Sequence, residues 1–248
     1  MSKLFPQMQV DRTFSSIVGV ILCWVVAFFV VPFYLIPFAT DGVWGSLEGT
    51  SWVEIIYQIV KAGVVVALLK EFFAEDFFFL KISVKEHVGY AALAVALMVV
   101  AVAVQMVPMV LMGMPVGYLL NAFPLVDMTA TFTPGYLAYV NPIFGTVSLV
   151  LAAPISICGM LYFLGFAPAC SKKTWLGYLC VAAITFLPAL ISIMWYTDVV
   201  LALDMYLLQL PVHLIACWSY QKTDNIWTPV IALAMLNLLA SVANMILV

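Results

Sequence analysis

The sequence predicts an all-α membrane protein, a bundle of about seven transmembrane helices with a cytoplasmic N-terminus and a C-terminus outside. Of its 248 residues, 66% are hydrophobic and 8% are charged, and the mean hydropathy is +1.17. Soluble domains are about 45–50% apolar and about 25% charged. A chain of this length has no interior large enough to hide that apolar excess. Its long apolar runs do not alternate with polar residues, so helices are favoured over the strands of a membrane barrel.

A helix needs about 20 apolar residues to cross the hydrocarbon core of a bilayer. Runs of about this length predict spans at residues 14–38, 55–73, 88–112, 143–168, 175–196, 199–219 and 226–248. Residues 113–142 are apolar but contain several Pro and Gly, which predicts a re-entrant or interfacial segment. Because no internal repeat or soluble segment is visible, we interpret residues 1–248 as a single integral membrane domain.

Charged residues set the predicted orientation. Eight of the nine basic residues fall on one side of the predicted spans: Lys3, Arg12, Lys70, Lys81, Lys85, Lys172, Lys173 and Lys222. The other side carries only acidic residues, namely Asp41, Glu48, Glu54, Asp127 and Asp198. By the positive-inside rule the basic side is cytoplasmic. A missed or extra span would break the alternation, so the charges also support the count of seven. The basic residues are too dispersed to form a nucleic-acid-binding surface, so no nucleic-acid partner is expected.

Charged and polar groups inside the predicted spans are the candidate functional residues, because burying them in lipid is costly. Lys61 in the second span and Asp204 in the sixth have similar depths, which predicts an intramembrane ion pair. His213 lies in the cytoplasmic half of the sixth span, and Asn237 has a comparable depth in the seventh. These two either face one polar cavity or hydrogen-bond between helices. The five cysteines lack metal-binding spacing and no cofactor motif is present, so we expect neither metal nor cofactor.

Three sequence motifs in the last hundred residues suggest a family. Ala-Ala-Pro-Ile-Ser-Ile-Cys occupies residues 152–158, Gln-Leu-Pro-Val-His occupies 209–213, and Asn-Ile-Trp-Thr-Pro occupies 225–229, followed by Asn237. Their order within 143–248 resembles the CPBP family, the CAAX-protease and bacteriocin-processing membrane proteins. That family carries a pair of glutamates, then Phe-x-x-x-His, then His-x-x-x-Asn. The resemblance implies an intramembrane bundle in which glutamate and histidine activate water for peptide hydrolysis.

The catalytic pattern of the family is only partly present. The glutamate pair falls on Ile157 and Cys158, while the histidine of the second motif is kept as His213. The histidine of the third motif falls on Leu233, and its asparagine is kept as Asn237. The residue type that serves as general base is therefore missing. The resemblance implies a non-catalytic member in which His213 and Asn237 are vestigial.

Three functions follow from these residues. The first is a non-catalytic CPBP-like protein that binds a membrane or cell-envelope protein, with bacteriocin immunity as one form of that role. The second is a transporter subunit or small-molecule carrier with a site at Lys61 and Asp204. The third is an active peptidase, metal-independent or metal-assisted, in which His213 and Asp204 would have to converge. These two residues lie about 13–14 Å apart along one helix axis, too far to share a water. With Ile157 and Cys158 in place of the glutamate pair, the absence of enzyme activity is favoured over this third function. The expected location is a bacterial plasma membrane, with the lipid bilayer as a further partner.

Overall fold

The structure is a computed structural model that describes residues 26, 30, 52–53, 55–67, 83–113, 141, 143–166, 174–196 and 199–247. At 149, 163–164, 188–196, 200–205, 241 and 243–247 it describes the backbone alone. All regular structure within these residues is helical, which confirms the all-α part of the prediction for this part of the chain, while the number of spans and their orientation stay predictions. The predicted span at 14–38 and the segment at 113–142 lie almost wholly outside the described residues.

Six helices are described: α1 (Ile55–Ala67), α2 (Val84–Leu111), α3 (residues 144–166), α4 (Thr174–Tyr196), α5 (Val199–Thr223) and α6 (Trp227–Leu247). Each coincides with a predicted span. Within the described part, α2 and the stretch Phe144–Leu161 of α3 are long and apolar enough to cross a membrane. Shorter apolar helices occupy Ile55–Ala67, Thr174–Leu187 and Trp227–Ala240.

A capping box fixes the start of α2, four residues before the predicted span. The Ser83 hydroxyl accepts the Glu86 backbone N–H at 3.3 Å. The Glu86 carboxylate in turn accepts the Ser83 backbone N–H at 3.0 Å and its hydroxyl at 2.8 Å. These bonds satisfy helix-start donors that have no partner within the helix. The Ser-x-x-Glu spacing therefore sets this boundary, and the apolar run starts later.

Helix α3 contains two segments in the π register. It is α-helical over Phe144–Val147, π-helical over Ser148–Ala152, α-helical over Ala153–Leu161 and π-helical over Tyr162–Phe166. Pro154 has no N–H to offer the carbonyl four residues before it. The π register bonds each carbonyl to the N–H five residues on, as between Ser148 and Ala153. The first π segment thus accommodates the proline without breaking the helix.

A side chain from α2 compensates a proline in α5. Pro211 leaves the Leu207 carbonyl without its usual partner within the helix. The Gln105 side-chain N–H of α2 donates to that carbonyl. This contact ties α2 to α5 across a mostly apolar interface.

One end of the bundle gathers the starts of α2, α4 and α6 with the ends of α3 and α5. The contacts are His87 Nδ1 to Thr228 Oγ1 at 2.8 Å, the rings of Tyr90 and Trp218 at 6.2 Å, the rings of Phe166 and Tyr220 at 5.4 Å, and the Tyr178 hydroxyl to Gln221 at 2.9 Å. Successive helices from α2 to α6 therefore run in opposite directions. Lys85 and Lys222 lie exposed at this end, which we name the basic end.

Other aromatic contacts lie in the middle of the bundle and at its opposite end. The rings of Phe186 on α4 and Tyr206 on α5 lie 5.1 Å apart, and the rings of Trp52 and Phe144 lie 5.6 Å apart. Among the described lysines, Lys85 and Lys222 lie at the basic end, and Lys61 lies inside α1, six residues after its start at Ile55.

The core lies around α5, which packs against α2, α4 and α6, while α6 also contacts α2 and α3. Its largest fully buried side chains include Tyr162, Phe166 and Tyr220, with Tyr162 edge-on to Tyr220 at 5.4 Å. Where α3 meets α4, a Cβ on Gly165 would overlap Val181 Cγ2, so only glycine allows this approach. By contrast, α2 exposes a broad apolar face.

Candidate functional site

His213 is buried inside the bundle, with 5% of its surface exposed. Its Nδ1 lies 2.8 Å from Thr185 Oγ1 on α4. The same hydroxyl donates to the Val181 carbonyl one turn earlier, at 2.8 Å. Because a hydroxyl has a single proton, Thr185 accepts from Nδ1–H of His213. The Thr185 hydroxyl, which is itself bonded to the Val181 carbonyl of α4, thus orients the imidazole. The CPBP motifs quoted above contain no such threonine.

The other positions suggested by the resemblance are also buried. Asn237 on α6 is 1% exposed. Ile157 and Cys158 on α3 and Leu233 on α6 all belong to one apolar cluster. Helix α6 contacts both α5 and the segment of α3 that holds Ile157, so these positions face the interior where the three helices meet.

Among the side chains that the structure describes, which do not include that of Asp204, the buried polar groups contain no carboxylate. They are Gln58, Lys61, His87, Ser148, Ser156, Thr185, Gln209, His213, Ser219, Thr223, Asn225, Thr228 and Asn237. The described part also contains no cluster of three or more His, Cys, Asp or Glu that could hold a metal ion. Hydroxyls, amides and imidazole can form hydrogen bonds in a dry interior, but this set lacks an acid-base pair that would activate water.

Lys61 is buried in α1, with 3% of its surface exposed. Its ammonium lies 4.7 Å from the centre of the Tyr57 ring, a cation–π contact one turn away on the same helix. Asp204 lies on α5, and its side chain is outside the described residues. The Lys61–Asp204 ion pair therefore stays a prediction. Gln58 lies three residues before Lys61 and is also buried, so α1 turns a polar stripe inward.

The turn between α5 and α6 also contains buried polar residues. Their sequence pattern did not predict a functional role for them. Asn225 is fully buried, and its side-chain oxygen accepts the Trp227 N–H at 2.8 Å. Asp224 adopts a left-handed φ of 51°, which Asp and Asn tolerate better than most residues. Pro229 falls in the first turn of α6, where a missing N–H costs little. The Asn-Ile-Trp-Thr-Pro motif is thus explained locally as a turn and helix start.

Two side chains that matter here were missed at the sequence level. Thr185 lies inside a predicted span, and a polar residue at the depth of His213 could have indicated a partner for it. His87 immediately precedes the predicted span at 88–112, and the structure pairs it with Thr228 across 141 residues of sequence. No pattern along the chain indicates a contact of that separation.

No protein-family model matches the chain, and no curated protein or solved structure matches it. The resemblance to CPBP proteins therefore depends on the motif residues alone.

Proposed function

We propose that the chain is a non-catalytic membrane protein of the CPBP type that binds a membrane or cell-envelope protein. The observation that carries this proposal is the surroundings of His213, whose described hydrogen bond runs to a threonine hydroxyl. Among the residues whose side chains the structure describes, a set that leaves out Asp204, no Asp or Glu is buried, and the positions of the family's glutamate pair hold Ile157 and Cys158. General base catalysis needs a group that takes a proton from water near neutral pH, and neither residue is a carboxylate.

The proposal includes seven spans in a bacterial plasma membrane, with the basic end in the cytoplasm. Two observations support a membrane location. Helix α2 exposes apolar side chains along its whole length, among them Leu93, Leu97, Val100 and Val104. Lys85 and Lys222 lie at the same end of the helices, as the positive-inside rule requires of cytoplasmic cations.

The partner is proposed to be a protein, since the outer segment at 113–142 is apolar and has no basic residue. Large apolar surfaces outside the bilayer are typical of protein-binding sites. This segment lies mainly outside the described residues, so its role depends on sequence alone. Bacteriocin immunity is one form of such binding.

The test is purification from native membranes in a mild detergent, followed by mass spectrometry with quantification of each protein. We expect one partner at a fixed stoichiometry. The variant His213→Gln should co-purify with the same amount of partner, because the histidine has no catalytic role in this proposal. A chain that purifies alone at every detergent concentration would contradict the proposal. Cleavage of a co-purified peptide by the wild type but not by His213→Gln would favour a peptidase.

A small-molecule carrier is the second candidate, and the burial of Lys61 in α1 favours it. A buried ammonium inside a membrane bundle is a candidate ligand site by default. The variant Lys61→Met keeps the length of the side chain and removes its charge. A carrier would lose ligand binding in this variant, whereas the scaffold would keep its partner at unchanged stoichiometry.

A further inference from the structure

His87 joins the start of α2 to the start of α6. Among residues 83–90 it is the one buried side chain, with 7% of its surface exposed. Its Nδ1 lies 2.8 Å from Thr228 Oγ1 in the first turn of α6. The first two turns of α2 therefore bury an imidazole against α6 and keep their other side chains exposed or half-buried.

Opening of this contact would expose little apolar surface. Val84 and Val88 in the first turns of α2 are already 63% and 61% exposed. Further along α2, the Tyr90 ring contacts the Trp218 ring of α5 at 6.2 Å, and the buried apolar side chains begin at Ala91. Segments with few buried apolar contacts open separately from the rest of a protein. The start of α2 can therefore leave α6 while the remainder of the bundle stays packed.

The closed contact accommodates a neutral imidazole better than a charged one. Protonation gives the ring a second N–H, so that both of its nitrogens are donors. Thr228 Oγ1 can accept from Nδ1, but Nε2 is buried and has no hydrogen-bond partner among the described residues. A charged donor without an acceptor is costly in an interior, whereas water satisfies it once the ring is exposed. The open form therefore binds the proton more tightly.

The described charges at this end give an imidazolium no net support. Helices α2 and α6 begin here, at Val84 and Trp227, and helix starts carry partial positive charge. The charged side chains described here on α2, on α5 and in the turn before α6 are Lys85, Glu86, Lys222 and Asp224. Two are positive and two are negative, so their effects on the ring oppose each other. Burial and the two helix starts then favour the neutral ring.

We propose that His87 makes the contact between the starts of α2 and α6 sensitive to pH, so that it is closed at neutral pH and opens in mildly acidic conditions. A histidine in water has a pKa of about 6.5. Above that pH neither form binds the proton, and the contact keeps its full stability. Below it the open form takes up a proton that the closed form excludes, so the stability of the contact is lost as the pH falls.

The size of the effect follows from one proton. Uptake of one proton changes an equilibrium constant by up to about tenfold for each pH unit. Between pH 7.5 and pH 5.0, with protonation of the open form beginning near pH 6.5, the opening equilibrium should rise by about ten- to 30-fold.

Hydrogen–deuterium exchange of the full chain in maltoside micelles measures this opening. The His87 N–H donates to the Ser83 carbonyl at 3.0 Å, so the amides of residues 87–91 report on the start of α2. Residues 104–111 of the same helix are the internal reference. After correction for the pH dependence of intrinsic exchange, we expect protection of residues 87–91 to fall about ten- to 30-fold from pH 7.5 to pH 5.0. Protection of residues 104–111 should stay the same.

Two variants assign the effect to one ring. The chain has two histidines, and histidine is the side chain whose ordinary pKa lies in this pH range. His87→Gln cannot take up the proton and should show equal protection at both pH values. His213→Gln is the matched control and should keep the full fall, because His87 is unchanged. If His87→Gln leaves residues 87–91 unprotected at every pH, the wild type and His213→Gln decide the result.

Three results would overturn the proposal. The first is equal protection of residues 87–91 at both pH values in the wild type. The second is a fall that persists in His87→Gln or disappears in His213→Gln, since another group would then carry it. The third is an equal loss of protection at residues 104–111, since the whole bundle and not this contact would then respond. The proposal does not rest on a protein partner, whose co-purification tests the proposed function separately.

Discussion

At the scale of single residues, hydrogen bonds between helices decide which buried polar groups the interior tolerates. Thr185 serves both its own helix and His213. Such a bond can be removed without changing the shape of the side chain, because valine replaces the hydroxyl by a methyl group. The energetic effect then depends on the group left behind, since an unsatisfied buried donor costs more than the bond contributes.

We therefore expect Thr185→Val to lower the free energy of unfolding by about 1–3 kcal/mol, the cost of leaving the Nδ1 donor of His213 unpaired. Thermal unfolding in detergent micelles measures it. The control is Thr146→Val on α3, where no side-chain hydrogen bond is described and the change should stay within about 0.5 kcal/mol. Equal melting temperatures for Thr185→Val and the wild type would show that the hydroxyl does not hold the imidazole.

At the scale of helices, the bundle accommodates two of its prolines, Pro154 and Pro211, by different means. The π register of α3 accommodates Pro154 within the helix, and Gln105 compensates Pro211 from a neighbouring helix. Both devices follow from one fact, the missing N–H of proline, but only the second couples two helices.

The coupling predicts a non-additive pair of substitutions. Gln105→Leu should destabilise the protein by about 0.6–1.7 kcal/mol, the range for interhelical hydrogen bonds in membrane proteins. In a Pro211→Ala background the restored N–H serves the Leu207 carbonyl, so the same substitution should cost much less. A double-mutant cycle on unfolding in mixed micelles measures the difference. Purely additive effects would mean that Gln105 does not act through the proline.

The crossing of α3 and α4 predicts a clash and its relief. Gly165→Ala places a methyl group against Val181 and should cost about 1–3 kcal/mol, typical of overpacking. Adding Val181→Ala removes the obstructing Cγ2 and should recover most of the loss. Gly63→Ala on α1 is the control, because nothing lies near its added Cβ. The measurement is the free energy of unfolding of the wild type, the two single glycine variants and the Gly165→Ala/Val181→Ala double variant. A Gly165→Ala variant as stable as the wild type would contradict the prediction.

At the scale of the whole molecule, the positions of the helices could be predicted from the long apolar runs of the sequence. All six described helices fall in such runs. Helix α2 starts four residues before the predicted span because Ser83 and Glu86 form a capping box. The length of an apolar run contains no information about such a cap. The π segments of α3 could not be predicted, since the register depends on packing around Pro154. His213 and Asn237 are both buried in the bundle, while their depth in a membrane stays a prediction. Their surroundings were beyond prediction, because Thr185 reaches His213 only through the packing of α4 on α5.

The orientation of the bundle gives the last prediction. Lys222 and Met112 are both exposed, the first at the basic end and the second just past the far end of α2. If the positive-inside rule holds for this chain, the membrane separates them. In a background without the five native cysteines, we expect Met112→Cys to react with an impermeant maleimide added to intact cells. Lys222→Cys should react only after the membrane is permeabilised.

The two positions test different parts of the proposed topology. Labelling of both from the same side would mean that α2 and the α5–α6 turn do not lie across the bilayer from each other, which would overturn the multi-span arrangement. Reversed labelling would keep the spans and overturn the orientation. The expected pattern would place His87 and Thr228 on the cytoplasmic face, beside the anionic lipids whose headgroups attract basic segments by about 1 kcal/mol per cation.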